Sequence, residues 1–192
     1  MSEWREYKLS EIFEITKDQF KPDKKSHLRY IGLENIGQGS LRLINFGDSS
    51  SVDSNKFYFR KNDVLFGKLR PYFRKVIRAP FDGVCSTDIW VCKAKKICDQ
   101  LFLFYFMANQ EFVDTSNTDE GSRMPRASWD YLKDTVWTLP PLPDQCAIAE
   151  ILSSLDDKIE LLSRQNTTLE ALAQTYFRQW FEKNYLKIVI IY

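Results

Sequence analysis

The chain has 192 residues, of which 44% are hydrophobic and 15% aromatic, and its net charge is +1. That length suits one globular domain and little more, and the balanced charge gives no bulk attraction to nucleic acid or to an anionic membrane. The longest apolar run, Leu101 to Ala108, falls far short of the ~20 residues a membrane-spanning helix needs.

The amino terminus, Met1-Ser2-Glu3-Trp4-Arg5-Glu6, is charged and has no apolar run, which points to a cytoplasmic protein. Trp4 to Ile15 alternates loosely, Lys8 to Phe13 within it reads as a short strand leading into a helical turn, and Thr16 to Ser26 as a polar loop. Arg29 to Leu33 and Leu41 to Ile44 look like strands, divided by the turn residues Asn35, Gly37 and Gly39. A serine-rich loop follows over Asp48 to Asn55. Asp63 to Arg70 reads as a strand broken by Pro71 and resumed over Tyr72 to Ile77, and Val84 to Cys92 as one further strand. Asp99 to Val113 is the one convincing helix of this region, rich in aromatic residues that suit a core. Thr115 to Arg126 is polar and reads as a mobile loop, and Thr135 to Leu139 as a last short strand. The implied fold class is α+β, a twisted and mostly antiparallel sheet with few helices.

One long helix is expected after it. Leu139-Pro140-Pro141-Leu142-Pro143-Asp144-Gln145 blocks helix upstream, Asp144 is suited to cap the free amides, and no Pro or Gly occurs from there to Trp180. Ile148, Leu155, Leu162, Leu169 and Tyr176 recur every seven residues. Leu152, Ile159, Asn166, Ala173 and Trp180 form a second row offset by three. With the second row as a and the first as d, about five heptads of a coiled coil emerge, on a projecting helix roughly 55–60 Å long. Asn166 interrupts the seam with a polar group, a device that fixes register. The competing reading is a helix packed on its own domain, which Ile151 and Leu172 favour locally; the narrow, heptad-strict seam favours a partner helix.

Chemistry is easier to exclude than to assign. Cys85, Cys92, Cys98 and Cys146 lack Cys-x-x-Cys spacing and His27 is the lone histidine, so free thiols are expected and no metal site. Gly37-Gln38-Gly39 lacks a third glycine, Gly67-Lys68 is not followed by Ser or Thr, and there is no Gly-x-Ser-x-Gly. Pro143-Asp144 with Asp156-Asp157-Lys158 matches a metal-dependent nuclease string. On one continuous helix, however, residues twelve apart stand about 18 Å apart along the axis, so they cannot share a metal.

Basic residues remain. Lys56, Arg60, Lys61, Lys68, Arg70, Arg74, Lys75 and Arg78 face Asp63 alone between positions 56 and 78. Period-two geometry would put Lys68 and Arg70 on one face toward phosphates. Gly121-Ser122-Arg123-Met124-Pro125-Arg126 sets two arginines on a loop able to enter a groove and read guanine. A solvated basic surface is the competing reading of each cluster. The candidate DNA-binding residues are Lys68, Arg70, Arg74, Lys75, Arg123 and Arg126.

Taken in order, these stretches resemble the specificity subunit of type I restriction-modification enzymes. The resemblance runs from Trp4 to about residue 181, through Tyr30-Ile31-Gly32, Asn35-Ile36, Asp63-Val64-Leu65, Gly67-Lys68, Arg70-Pro71, Gly83, Ser86 and Asp88. Its most specific part is Leu139 to Gln145 with Ile148-Ala149, Leu152, Leu155-Asp156, Ile159, Gln165-Asn166, Leu169-Glu170, Phe177 and Trp180-Phe181. The resemblance implies a non-catalytic subunit that chooses the DNA sequence for methyltransferase subunits. The cofactor, S-adenosylmethionine, would belong to those subunits and none to this chain, with a restriction/translocase subunit as a further partner. It divides the chain into a target recognition domain over 1–140, a dimerising and methyltransferase-docking helix over 141–183, and an irregular or disordered tail over 184–192. Usual members carry two recognition domains and two helical regions, whereas this chain has one of each. It therefore resembles a half-subunit that pairs through its helix to read a bipartite site. The alternative is a truncated chain that binds methyltransferase through its helix without reading DNA.

Overall fold

The computed structural model describes residues 3–117 and 123–182. The chain divides into two compact units, Met1–Ala149 and Glu150–Tyr192.

The first unit opens with β1 (Arg5–Lys8), α1 (Leu9–Ile12), β2 (Phe13–Thr16), β3 (Gln19–Phe20), β4 (Arg29–Ile31) and β5 (Gly47–Asp48). It continues through β6 (Lys56–Phe59), β7 (Val64–Gly67), β8 (Val76–Arg78), β9 (Gly83–Cys85) and β10 (Ile89–Ala94). The helices α2 (Gln100–Ala108), α3 (Gln110–Ser116) and α4 (Trp129–Leu132) follow, then β11 (Val136–Leu139). Three sheets result, ordered β2-β10-β7-β8, β3-β6-β9-β4-β5 and β1-β11. Every ladder is antiparallel except β4 with β9, as the α+β reading expects.

The four-stranded sheet lies between two hydrophobic cores, which explains why its strands are apolar at successive positions. Side chains alternate across a strand. Val64, Phe66, Val76, Trp90 and Cys92 therefore enter one core with Leu9, Phe13, Leu103, Phe112 and Trp137. Leu65, Ile77, Ile89 and Val91 enter the other with Ile31, Ile36, Phe59 and Cys85. A strand buried on both faces shows no apolar–polar alternation.

Several expected elements are corrected. Leu41 to Ile44 is not a strand: Leu41 takes φ 57°, and only Ile36 and Leu43 form a bridge there. Val84 to Cys92 is two strands, because Ile89 N–H donates to the Ser86 carbonyl and turns the chain between them. The Asp99–Val113 helix is also two. Asp99 caps α2 by accepting from the amides of Leu101 and Phe102, and Asn109, with extended backbone, ends α2 and caps α3. The expected Thr16–Ser26 loop contains β3, and the expected Asp48–Asn55 loop runs from the end of β5 to β6.

The long helix, α5, runs unbroken over Leu142–Phe177 and passes into a π-helical turn over Arg178–Glu182. It begins two residues before Asp144. The Pro141 carbonyl accepts from the amides of both Asp144 and Gln145, so Asp144 lies within the first turn and is not the cap. Pro143 is tolerated there because first-turn amides need no helical acceptor. Gln145 is 1% exposed. Its side chain donates to the carbonyls of Ile97 and Pro140 and accepts from the Asp99 amide, fixing the start of α5 to the start of α2.

Cys85, Cys92 and Cys98 are buried and Cys146 is exposed, all as free thiols. Burial pushes the Cys85 and Cys98 thiols up to about 12 and Cys92 well above its ordinary value, so these three side chains serve as small apolar core groups.

Candidate nucleic-acid interface

The segment after β7 carries the basic cluster, and it is anchored at its root by Gly67. A Cβ on Gly67 would stand 2.8 Å from Leu33 Cδ2 and 3.3 Å from the Lys75 carbonyl oxygen, so a larger residue would have to displace the Leu33 side chain and press on the β8 approach. Regular strand geometry then stops. Arg70 and Arg74 both adopt left-handed backbone, φ 52° and 47°, on either side of a single 3-10 turn at Pro71–Phe73. A left-handed non-glycine residue costs about 1–2 kcal/mol, and such outliers gather at functional sites. The period-two face expected for Lys68 and Arg70 therefore does not extend to Arg70.

A different contact joins the two basic stretches. The amide of Arg70 donates to the Pro125 carbonyl at 2.8 Å, that of Ala127 donates to the Lys68 carbonyl at 2.9 Å, and Leu69 and Arg126 form a bridge. Residues 68–70 and 125–127 thus run as a short antiparallel pair. The Arg70 guanidinium also donates to the Arg123 carbonyl at 3.4 Å. Lys68, Arg70, Arg123 and Arg126 are gathered at one place although more than fifty positions separate the two stretches. Gly121 and Ser122 of the expected loop lie outside the described residues.

Asp88 stands among these cations. Its carboxylate lies 3.4 Å from Arg126 Nε and 3.9 Å from Lys68 Nζ, while its carbonyl accepts from the Lys68 amide at 3.0 Å. Nothing in the sequence ties Asp88 to Arg126.

Other members of the cluster are committed within the fold. Arg74 donates to the Gly39 carbonyl at 2.9 Å, holding the Gly37–Gly39 turn beside the cluster, and the Lys75 ammonium donates to the Leu33 carbonyl. Lys56 is buried, with its ammonium bonded to Ser54, and Arg60 pairs with Asp82. Of the basic run from 56 to 78, only its middle belongs to the cluster with residues 123–126.

On α5, Ile148 and Leu152 are half-buried, whereas Leu155, Ile159, Leu162, Asn166, Leu169, Ala173 and Tyr176 are exposed. The helix is continuous through Asp144, Asp156 and Lys158, so the nuclease-like string is held open by about 18 Å of helix. Among the described residues no three His, Cys, Asp or Glu side chains form a metal-binding group. No helix among them is long and apolar enough to cross a membrane.

An α+β unit with few helices followed by one long helix is a fold found in known proteins. The chain shares its fold with the HsdS subunit from Thermoanaerobacter tengcongensis, with a TM-score of 0.67 at 23% identity over 92% of this chain and 49% of that one. The type I restriction-modification S subunit from M. genitalium gives a TM-score of 0.66 at 15% identity, over 94% and 46% of the two chains. The family model for the type I restriction modification DNA specificity domain matches residues 1–171, and the chain belongs to that family. It is 33% identical over 147 residues to the type I restriction enzyme EcoDI specificity subunit of Escherichia coli, covering 69% of this chain and 33% of that protein. To the HindI specificity subunit of Haemophilus influenzae it is 26% identical, over 94% of this chain and 41% of the relative. The chain thus spans well under half the length of these curated relatives.

Proposed function

We propose that this chain is the DNA-reading part of a type I restriction-modification assembly. Residues 1–140 read one half of a bipartite double-stranded target. Residues 141–183 pair two copies and dock methyltransferase subunits, which bring S-adenosylmethionine and perform the chemistry. The chain itself catalyses nothing, and a restriction subunit is a further partner. What carries the reading is the junction of 68–70 with 125–127, which gathers Lys68, Arg70, Arg123 and Arg126 beside one another. Cations so placed suit phosphate contacts that set register and arginine contacts that read base edges.

The exposed seam of α5 supports a second reading, an interaction protein that holds methyltransferase subunits without choosing DNA. Alanine at Lys68, Arg70, Arg123 and Arg126 together separates the two, in the chain co-purified with its methyltransferase subunit. At about 1–3 kcal/mol per lost specific contact, sequence-dependent methylation is expected to fall at least ~100-fold while the complex stays assembled. Unchanged methylation would leave only the interaction reading standing.

A further inference from the structure

Asp88 is out of place in a surface built for phosphates. A carboxylate there cancels part of the local positive charge and repels the DNA backbone. Its side chain is also not needed for the turn: the peptide groups of Asp88 make the local bonds, with its carbonyl accepting from Lys68 and its amide donating to Ser86 Oγ at 3.3 Å. Among the described residues the carboxylate faces outward, accepting from Arg126 Nε at 3.4 Å and lying 3.9 Å from Lys68 Nζ.

That geometry is selective. Arginine carries five donors in a rigid planar fork. Holding Nε from behind restrains the plane of the guanidinium and leaves both terminal nitrogens of a half-exposed side chain to point away together. Two parallel terminal N–H donors match the O6 and N7 acceptors of guanine in the major groove. A phosphate contact would need no such restraint, and the charge would be better left uncancelled.

Resting on the DNA-reading function proposed above, we infer that Arg126 reads a guanine of the target half-site and that Asp88 is the positioning residue that orients it. The test compares the sites methylated on genomic DNA by the methyltransferase complex of the wild-type chain with those of Arg126→Lys, Asp88→Asn and Lys68→Ala. Lysine keeps the charge of Arg126 but lacks the fork, so one guanine position is expected to relax, with other bases there methylated about tenfold faster relative to the wild type. Asp88→Asn keeps the size of the side chain and its peptide bonds, and relaxes the same position by a smaller factor. Lys68→Ala slows every site alike and leaves the motif unchanged. If Arg126→Lys and Asp88→Asn also slow all sites equally with an intact motif, Arg126 is a phosphate contact and the inference falls while DNA reading stands. If even the four-alanine variant methylates as the wild type does, DNA reading falls as well.

Discussion

Leu162→Asp is expected to turn a dimer into a monomer. In the single chain α5 presents Leu155, Leu162 and Leu169 at 56%, 46% and 62% exposure, one turn pair after another along its length. Burying a leucine in a helix seam contributes about 1.5–3 kcal/mol, and a two-fold pair loses that contribution twice. An aspartate facing an apolar seam adds the desolvation of a carboxylate. Together these raise the dissociation constant roughly a thousandfold or more, so light scattering at micromolar concentration should give the mass of one chain. The recognition unit, which contains none of the altered contacts, should melt as before. A dimeric mass for this variant would show that the seam is not the pairing surface.

Phe112→Ala is expected to have the largest effect on the first unit. Phe112 is fully buried, and its ring centroid lies 5.4 Å from that of Phe66, 5.5 Å from Phe106 and 5.8 Å from Trp137. It therefore ties α3 and α2 to β7 and β11. Truncating such a ring leaves a cavity and costs about 3–5 kcal/mol out of a total of about 5–15 kcal/mol. The melting temperature should fall by about 6–20 °C. Because β7 carries the Lys68–Lys75 segment on its end, sequence-dependent methylation should be lost at the same lowered temperature. A shift under about 2 °C would mean that the aromatic cluster is not the keystone of this core.

What was legible beforehand follows from which signals are local. The helix α5 is legible because its periodicity is local, and β11 because a short apolar run stops at Pro140-Pro141; β1 is not, since Arg5–Lys8 has no apolar run and the strand expected over Lys8 to Phe13 is largely the α1 turn. The basic stretches were visible as composition. Their meeting was not, since backbone pairing between 68–70 and 125–127 leaves no periodic trace in either stretch. Nor was the role of Gln145, a polar residue in a helix start that proves to be buried and bonded three times. The turn from Ser86 to Ile89 is hidden because the residues there are compatible with a strand, whereas the break beside Arg70 is marked by Pro71 and only its bond to the Pro125 carbonyl lies beyond the sequence. Asp88 carries no local signal beyond the family resemblance, because its cation partners Lys68 and Arg126 are distant in sequence.

The half-subunit reading is tested most directly by the DNA sites that the chain and its methyltransferase subunit methylate together. Two identical recognition units paired about a two-fold axis must read inverted copies of one half-site. The expected result is therefore a symmetric target, two inverted repeats of the same short sequence separated by a fixed spacer. A target with two unrelated halves, or a single uninterrupted asymmetric site, would contradict it.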